Sequence, residues 1–378
     1  MSTIILWLWR LLAYISILGV SPLIGVLLIN KPLSPYLAFP PIPTPNQSLP
    51  FSWIAFLSIA ILVVICVTPF VVRIISSNIR FEFYRQVSRP FPLWGWLGVV
   101  IILIFWIIAW NRFALFESVQ KFTFTPLWVG YILVINASTF RRSGRCSLLD
   151  RTRYFLLLFP VSAIFWWSFE YVNRFVENWH YVGISEFGPW SYFFFATLPF
   201  ATVLPAVLST TEWLSTFPRL SAGLDRFPGF TATAPRMWSW FWTSMSVTSL
   251  IALVVWPNQL FFLVWLVPLT LICGLQLLTE QPPLINAIAT GDCRRVWRLA
   301  LAGLVCGFFW EMWNAHSLAH WKYSVPYVQH FEIFEMPILG YAGYLPFGII
   351  CGLFADFIMA PAQWCSNAKE GEFHNLPN

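Results

Sequence analysis

Residues 93–110 have the sequence LWGWLGVVIILIFWIIAW, which contains no charged side chain. A helix needs about 20 predominantly apolar residues to cross a bilayer core about 30 Å thick. This stretch is close to that length, so its solvent is predicted to be lipid. It therefore predicts a transmembrane helix.

The rest of the chain has the same character. Of its 378 residues, 58% are hydrophobic and only 10% are charged, whereas charged residues make up about 25% of soluble proteins. So few charges cannot cover a water-facing surface. The predicted fold class is all-α, a polytopic transmembrane helical bundle of about ten spans. The predicted spans are 11–30, 52–73, 93–110, 125–140, 154–173, 191–209, 238–256, 259–279, 297–314 and 337–360.

The net charge of +6 is interpreted as a topology signal. No basic stripe with interleaved aromatic residues lies in a segment long enough to form a soluble domain, so nucleic acid is not expected as a partner. If the N-terminus is inside, seventeen of the 22 Lys and Arg residues lie on the inner side. Such a bias follows the positive-inside rule and predicts a multi-pass protein of the bacterial inner membrane with both termini cytoplasmic. The five basic residues predicted outside are Lys31, Arg112, Lys121, Arg174 and Lys322.

Two regions are predicted along the chain. Residues 1–140 form a four-span region, and residues 141–378 form a six-span region. The first exported loop is rich in proline, which disfavours helix and predicts an extended path over the outer surface. Its prolines are Pro32, Pro35, Pro40, Pro41, Pro43, Pro45 and Pro50.

The six-span region contains an internal repeat, in residues 153–205 and 294–352. In both copies an Arg is followed after seventeen residues by Glu, after three more by Asn, and then by Trp-x-Tyr and Leu-Pro-Phe. Because both copies start on the same side, they are predicted to be parallel helix pairs facing one another across an axis along the membrane normal. The matching residues are Arg153, Glu170, Asn173, Trp179 and Tyr181 in the first copy and Arg294, Glu311, Asn314, Trp321 and Tyr323 in the second.

The repeated polar residues are the candidate catalytic groups. Seventeen helical residues place Glu170 and Glu311 about 25 Å from the inner end, near the outer edge of the bilayer core. Asn173 and Asn314 share a helical face with them. Ionisable residues at that depth suggest a functional site, although interhelical hydrogen bonding is an equal alternative. Arg174 is expected to pair with Glu170, which leaves Glu311 as the freer acid.

Aromatic residues beside these glutamates predict a pocket for an apolar molecule, a cationic head group or a carbocation. An ordinary aromatic belt at the membrane surface is the alternative. His316 and His320, spaced i and i+4, are weak metal candidates if they share a helical face, and otherwise form an interfacial pair. No cofactor is identified. The predicted pocket residues are Trp167, Trp179, Tyr181, Trp310, Trp321, Tyr323 and Glu335.

Three segments carry a family resemblance: FTPLWVGY at 124–131, FWWSFE at 165–170 and FEMP at 334–337. Across about residues 90–360 the chain resembles a family of uncharacterised multi-span bacterial membrane proteins. The acidic and Trp-x-Tyr pattern is faintly similar to the repeated helical units of membrane-embedded lycopene cyclases. That resemblance implies repeated helices and isoprenoid chemistry. The paired acidic motif of those cyclases is replaced here by Ser185-Glu186-Phe187-Gly188.

Three functions are consistent with these features. The first is an intramembrane enzyme of lipid or isoprenoid metabolism, which acts on an apolar or lipid-like molecule through its outer-leaflet carboxylates. The second is a transporter or channel with its path between the repeats, and the third is a non-catalytic membrane scaffold. Membrane lipids are expected partners in all three cases.

Overall fold

The computed structural model describes residues 3–41, 49–77, 89–230, 235–278 and 283–363. These residues are mostly helical, so the all-α fold class is confirmed. The helices are α1 (Thr3–Leu28), α2 (Ser34–Leu37), α3 (Trp53–Ser76), α4 (Leu93–Trp110), α5 (Phe124–Ser143), α6 (Ser147–Asp150), α7 (Thr152–Asn173), α8 (Pro189–Phe200), α9 (Val203–Ser215), α10 (Pro235–Val255), α11 (Pro257–Leu260), α12 (Leu263–Leu278), α13 (Pro283–Ala289), α14 (Arg294–Asn314) and α15 (Tyr344–Gln363). The strands are β1 (Trp179–Val182), β2 (His320–Tyr323), β3 (Glu332–Ile333) and β4 (Met336–Pro337).

Within the described ranges, nine helical segments are long and apolar enough to cross a membrane. The chain thus has the character of a multi-pass membrane protein. A tenth predicted span corresponds to α12, which is apolar but has only 16 residues. The nine segments are Leu8–Leu28, Trp53–Ser76, Leu93–Trp110, Gln120–Ser143, Thr152–Asn173, Pro189–Ser215, Pro235–Val255, Arg294–Asn314 and Ile338–Met359.

The predicted span 191–209 is divided into α8 and α9. Pro205 has no N–H, and its ring would clash with the carbonyl of Ala201, so a continuous helix is disfavoured there. The hydroxyl of Ser162 on α7 bridges the break, since it donates to Phe200 O at 2.6 Å and accepts from Leu204 N at 3.0 Å. The interrupted backbone groups therefore find partners on a neighbouring helix.

The proline-rich loop contains one short helix, so the prediction of an extended path is wrong for Ser34–Leu37. Pro35 lies in the first turn of α2, where its missing N–H has no helical partner to lose. Residues 42–48 of this loop, including Pro43 and Pro45, lie outside the described residues. Arg174 donates to the carbonyls of Tyr36 and Ala38 at 3.0 and 2.6 Å, so the loop lies against the end of α7.

Side chains at the helix ends make long-range contacts that fall into two groups. Each contact joins two residues that the sequence places on the same side of the membrane. One end has Arg10 bonded to Phe357 O, Arg73 to Arg226 O and Arg142 to Thr216 O; the other has Arg112 bonded to His316 O and Arg174 to Tyr36 O. The packing is therefore consistent with alternating spans.

The centre of the bundle consists of α7, α9, α14 and α15. Helix α14 packs against α9 and α15, and α7 also packs against α9 and α15, whereas α3 has no buried residue. Glycines allow α14 and α15 to approach closely: a Cβ at Gly303 would lie 2.2 Å from Tyr344 O, and one at Gly348 would lie 2.0 Å from Leu299 O. Small residues are a common means of close helix packing in membranes.

Candidate functional site

The two segments with the Glu, Asn and Trp-x-Tyr pattern meet in a small antiparallel sheet. Strand β1 follows α7 and strand β2 follows α14. Trp179 lies opposite Tyr323, and Tyr181 lies opposite Trp321. The Trp of each Trp-x-Tyr motif thus lies opposite the Tyr of the other motif. A two-fold rotation through the strand pair would give the same register.

The two asparagines hold these strands to their helices. The Asn314 amide donates to Trp321 O at 2.8 Å and accepts from Trp321 N at 2.8 Å. Asn173 makes the same pair of bonds to Trp179, at 2.8 and 3.4 Å. Both side-chain amides, which were predicted to join the chemistry, are therefore engaged with the backbone where each strand begins.

Glu170 is enclosed by aromatic hydrogen-bond donors. Its Oε1 accepts from Trp166 Nε1 at 2.9 Å, from Trp179 Nε1 at 3.0 Å and from the Tyr181 hydroxyl at 2.6 Å. The residue is only 4% exposed. Hydrogen bonds to a carboxylate are among the stronger ones in proteins, so this cluster ties α7 firmly to β1.

Glu311 has a related but different set of partners. Its Oε1 accepts from the hydroxyls of Tyr323 at 2.7 Å and Tyr344 at 2.5 Å, while Trp321 Nε1 donates to the Tyr323 oxygen at 2.8 Å. Glu311 is 0% exposed, and its Oε2 is buried without a hydrogen-bond partner in the described residues. A buried carboxylate oxygen without a partner is costly, and protonation of this oxygen would reduce that cost.

The difference between the two glutamates has a steric cause. When the segments are aligned on their glutamates, Gly307 takes the place of Trp166. A Cβ at Gly307 would lie 2.2 Å from the Tyr344 ring. The missing side chain therefore makes room for Tyr344, which supplies from α15 the hydrogen bond that Trp166 supplies from α7 itself.

The expected pairing of Arg174 with Glu170 is wrong. The guanidinium of Arg174 donates to the carbonyls of Tyr36 and Ala38 instead. The proline-rich loop passes over the end of α7 and presents these two carbonyls. They, rather than the Glu170 carboxylate, accept the hydrogen bonds of the guanidinium. The sequence-based reason for regarding Glu311 as the freer acid thus fails, although its unpartnered Oε2 distinguishes it from Glu170 on other grounds.

A cavity lies between the two segments, beneath the strand pair. Its volume is about 90 Å³, room for about six to nine waters when each needs 10–15 Å³. All the aromatic donors around both glutamates line this cavity, so the carboxylates lie just behind its wall. The Trp and Tyr residues of the wall are Trp166, Trp179, Trp265, Trp310, Trp321, Tyr181, Tyr323 and Tyr344.

Two predicted pocket residues do not line this cavity. Trp167 donates to Thr197 Oγ1 at 3.0 Å and stacks on Phe193 with centroids 5.7 Å apart. Glu335 lies in the turn between β3 and β4. The other five, Trp179, Tyr181, Trp310, Trp321 and Tyr323, line it.

Sequence reasoning did not single out Trp166, Trp265 and Tyr344 as pocket residues. Tyr344 directly precedes the second Leu-Pro-Phe, and that position was the one available signal. Trp265 comes from α12, outside both segments, and stacks on Trp179 with centroids 5.7 Å apart. No sequence pattern links it to the site.

Tyr181 and Tyr323, the two tyrosines of the strand pair, remain protonated and act as hydrogen-bond donors. Burial raises the pKa of Tyr181 and of Tyr323 well above the ordinary value, and the neighbouring glutamate raises each of them further. Both hydroxyls therefore keep their protons at neutral pH. They can donate to the carboxylates under all physiological conditions.

The two histidines proposed as weak metal candidates do not share a helical face, because α14 ends at Asn314. His316 packs against Trp110 with ring centroids 4.9 Å apart, and His320 lies on β2 at the cavity wall. In the part of the chain that the structure describes, no group of three or more His, Cys, Asp or Glu residues could hold a metal ion.

The cavity is closed towards the end of the bundle at which Arg10 bonds to Phe357 O. Phe347 lies under Trp310 with ring centroids 5.7 Å apart, and Phe165 then contacts both Phe347 and Phe354, at 5.9 and 4.9 Å. All three phenylalanines are 0% exposed. Close packing of this kind leaves no continuous path for water or ions through these residues.

Comparison of the chain with known protein families gives no match, and comparisons with curated proteins and with solved structures give none either. The geometry of the site is therefore the ground on which its function is inferred.

Proposed function

We propose that this chain is an integral membrane enzyme that binds an apolar or lipid-like molecule in the aromatic cavity and transfers a proton to or from it. In this proposal the chain crosses a bacterial inner membrane ten times, with both ends cytoplasmic. The cavity then lies on the outer side, within reach of outer-leaflet lipids. The observation that carries the proposal is the position of Tyr323 and Tyr344, which line the cavity while donating to Glu311.

The internal repeat is part of this proposal. Residues 153–205 and 294–352 are interpreted as two parallel copies of one helix, strand and helix unit. The symmetric register of β1 and β2 supports it, as does the identical bonding of Asn173 and Asn314. A cavity between two such units is the arrangement expected when a binding site forms at a repeat interface.

The proposed proton transfer follows from the positions of the groups, because the Tyr344 hydroxyl lies between the cavity and Glu311. If Tyr344 accepts a proton from a substrate, it can pass its own proton to the Glu311 carboxylate. In the reverse direction a protonated Glu311 returns that proton, and the Tyr344 hydroxyl delivers its own to the substrate. The tyrosine is therefore the contact group and the glutamate the proton store. In this assignment Tyr344 of α15 contacts the substrate directly, which is the role that the sequence predicted for Glu311.

An enzyme is favoured over a transporter or channel by the packing beneath the cavity. Passage to the inner side would require the stack of Phe347, Phe165 and Phe354 to separate. An apolar cavity that is closed at one end and has polar groups at one wall is typical of a binding site for a small molecule.

The proposal is tested by comparing lipid and pigment extracts of a strain that lacks the gene. We expect a lipid or isoprenoid precursor to accumulate in the deletion strain and to disappear when the wild-type gene is restored. The Glu311→Gln variant should fail to restore the profile, whereas Glu117→Gln, which changes an exposed loop carboxylate, should restore it. Identical extracts from all four strains would refute the proposal.

A second variant separates the proton relay from the carboxylate. Tyr344→Phe keeps the ring that packs on Trp310, with centroids 5.8 Å apart, and removes only the hydroxyl. General acid–base catalysis contributes about 10²–10⁴-fold to a rate, so we expect product formation in membranes to fall by about that factor. Unchanged turnover by Tyr344→Phe would exclude this tyrosine as the contact group.

A further inference from the structure

The cavity has two buried carboxyl groups behind its wall, and the described residues that line it include one lysine, Lys121. Glu170 and Glu311 are both buried, and every hydrogen bond to them that the structure contains comes from a neutral indole or phenol group. Among the described residues, no Lys or Arg forms an ion pair with either glutamate. Buried charges are ordinarily paired, so a cation bound in the cavity would stabilise the ionised form of either carboxyl group.

The unpartnered oxygen of Glu311 strengthens this argument. Its Oε2 is buried, and none of the described residues donates to it. The aromatic donors of this cluster all converge on Oε1, directly or through Tyr323. A positive charge bound in the cavity would therefore act on this carboxylate through the wall, since Glu311 itself does not line the cavity.

The wall itself selects the kind of cation. It consists largely of aromatic rings, whose faces carry partial negative charge and attract cations within about 6 Å of the ring centroid. The N–H and O–H groups of Trp166, Trp179, Tyr181, Tyr323 and Tyr344 are directed at the carboxylates, so the carbon surfaces of these rings remain for a ligand. A small, strongly hydrated cation such as Mg²⁺ or Ca²⁺ needs oxygen ligands, which this wall does not offer.

Of the described residues that line the cavity, Lys121 is the one lysine, and an exposed carboxylate balances its charge. Lys121 forms an ion pair with Glu186 and lies over the Phe187 ring at 5.6 Å. This pair joins the loop before α5 to the loop before α8, at the mouth. It therefore does not neutralise the glutamates deeper in the site.

We propose that the cavity binds a quaternary ammonium group, which rests on the proposed function because the same cavity is the substrate site. A trimethylammonium group is weakly hydrated, carries a diffuse positive charge and matches the available space. The group can belong to a free choline-like solute or to the head of an outer-leaflet lipid. Its single positive charge offsets at most one of the two carboxylates, and its methyl groups contact the rings of Trp179, Trp310 and Trp321.

The test compares two probes of the same shape. The purified full-length protein is placed in phosphatidylglycerol nanodiscs, and binding of radiolabelled choline is measured in competition with 3,3-dimethylbutan-1-ol, its uncharged isostere. We expect choline to bind at least about tenfold more tightly, since charge adds the cation–π and carboxylate attraction. Equal affinity for the two probes would overturn this inference and leave an apolar substrate site intact.

Substitution of the two glutamates tests whether they cause the preference for choline. In the double variant Glu170→Gln and Glu311→Gln, we expect the preference for choline to fall towards one, while binding of the uncharged isostere is unchanged. Trp190→Phe is the matched control, because Trp190 is 75% exposed and lies outside the cavity. A preference retained in the double variant would place the cation elsewhere and overturn the proposal.

Two further results separate the sources and the claims. If choline binding disappears when the nanodisc contains phosphatidylcholine, the occupant is a lipid head group; if it persists, the occupant is a free solute. If neither choline nor its isostere binds, and a fluorescent apolar lipid also fails to bind, both this inference and the proposed substrate site are refuted.

Discussion

At the scale of single residues, the two glutamates receive corresponding hydrogen bonds from different side chains, and the sequence pattern does not show this difference. Glu170 takes a hydrogen bond from Trp166 on its own helix, whereas Glu311 takes the corresponding bond from Tyr344 on another helix. Gly307 permits this because it leaves space for the Tyr344 ring. The absence of one side chain thus brings a phenol hydroxyl to a buried carboxylate.

Gly307→Ala tests this arrangement. The added methyl would lie 2.2 Å from the Tyr344 ring, and overpacking of this kind costs about 1–3 kcal/mol. We expect a lower melting temperature in detergent and a loss of turnover similar to that of Tyr344→Phe. Gly19→Ala is the control, because nothing lies within 4 Å of its added Cβ; equal melting temperatures of the two variants would contradict the steric argument.

At the scale of elements, the break between α8 and α9 is the feature that distinguishes the two halves of the site. Ser162 bridges it with two hydrogen bonds. The corresponding residue of the second segment is Gly303, which packs against the continuous helix α15. A hydroxyl therefore supports a broken helix in one segment, and a glycine allows close approach to an unbroken one in the other.

Ser162→Ala should destabilise the protein by leaving Phe200 O and Leu204 N without their bridging partner. Loss of a partner from a buried polar group costs about 1–3 kcal/mol, so the melting temperature should fall. Ser138→Ala is the matched control, since Ser138 bonds only to Val134 O of its own helix among the described residues. Equal melting temperatures of the two variants would show that Ser162 does not stabilise the break between α8 and α9.

At the scale of the whole molecule, the strand pair joins the two units by backbone hydrogen bonds, in addition to the packing of their helices. His180 lies opposite Lys322, and Val182 lies opposite His320. Directly opposed residues in an antiparallel ladder are close enough for a disulfide, whereas diagonal ones are about 7–8 Å apart. The register therefore makes a prediction that cross-linking can check.

We expect His180→Cys with Lys322→Cys to form a disulfide under mild oxidation, detected as a joined peptide by mass spectrometry. The pair His180→Cys with His320→Cys is displaced by two residues in the ladder and should cross-link far less. Preferential cross-linking of the displaced pair would show that the register is different.

The topology can be checked by reporter fusions. The sequence places Arg145 inside and Ser185 outside, separated by the single span α7. We expect a reporter that is active only in the cytoplasm to be active at residue 145 and inactive at residue 185. Activity at both positions would mean that α7 does not cross the membrane, and the reverse pattern would invert the proposed orientation.

Several features of this protein could be predicted from its sequence because they depend on residues that are close along the chain. Apolar stretches of about 20 residues have few stable alternatives to a helix in lipid, so the predicted spans agree with the helices to within a few residues in most cases. The two Trp-x-Tyr motifs also indicated four of the eight Trp and Tyr residues that line the cavity, and Trp310, a fifth, directly precedes Glu311.

Other features depend on how helices cross, and only the tertiary structure decides them. Tyr344 reaches Glu311 across 33 residues of sequence, and Arg174 bonds to a loop 138 residues earlier. No local periodicity encodes such partners, because they follow from the close approach of α14 to α15 and from the path of a proline-rich loop. The same packing places both carboxylates behind the aromatic wall instead of in the cavity, and so determines which groups can touch a ligand.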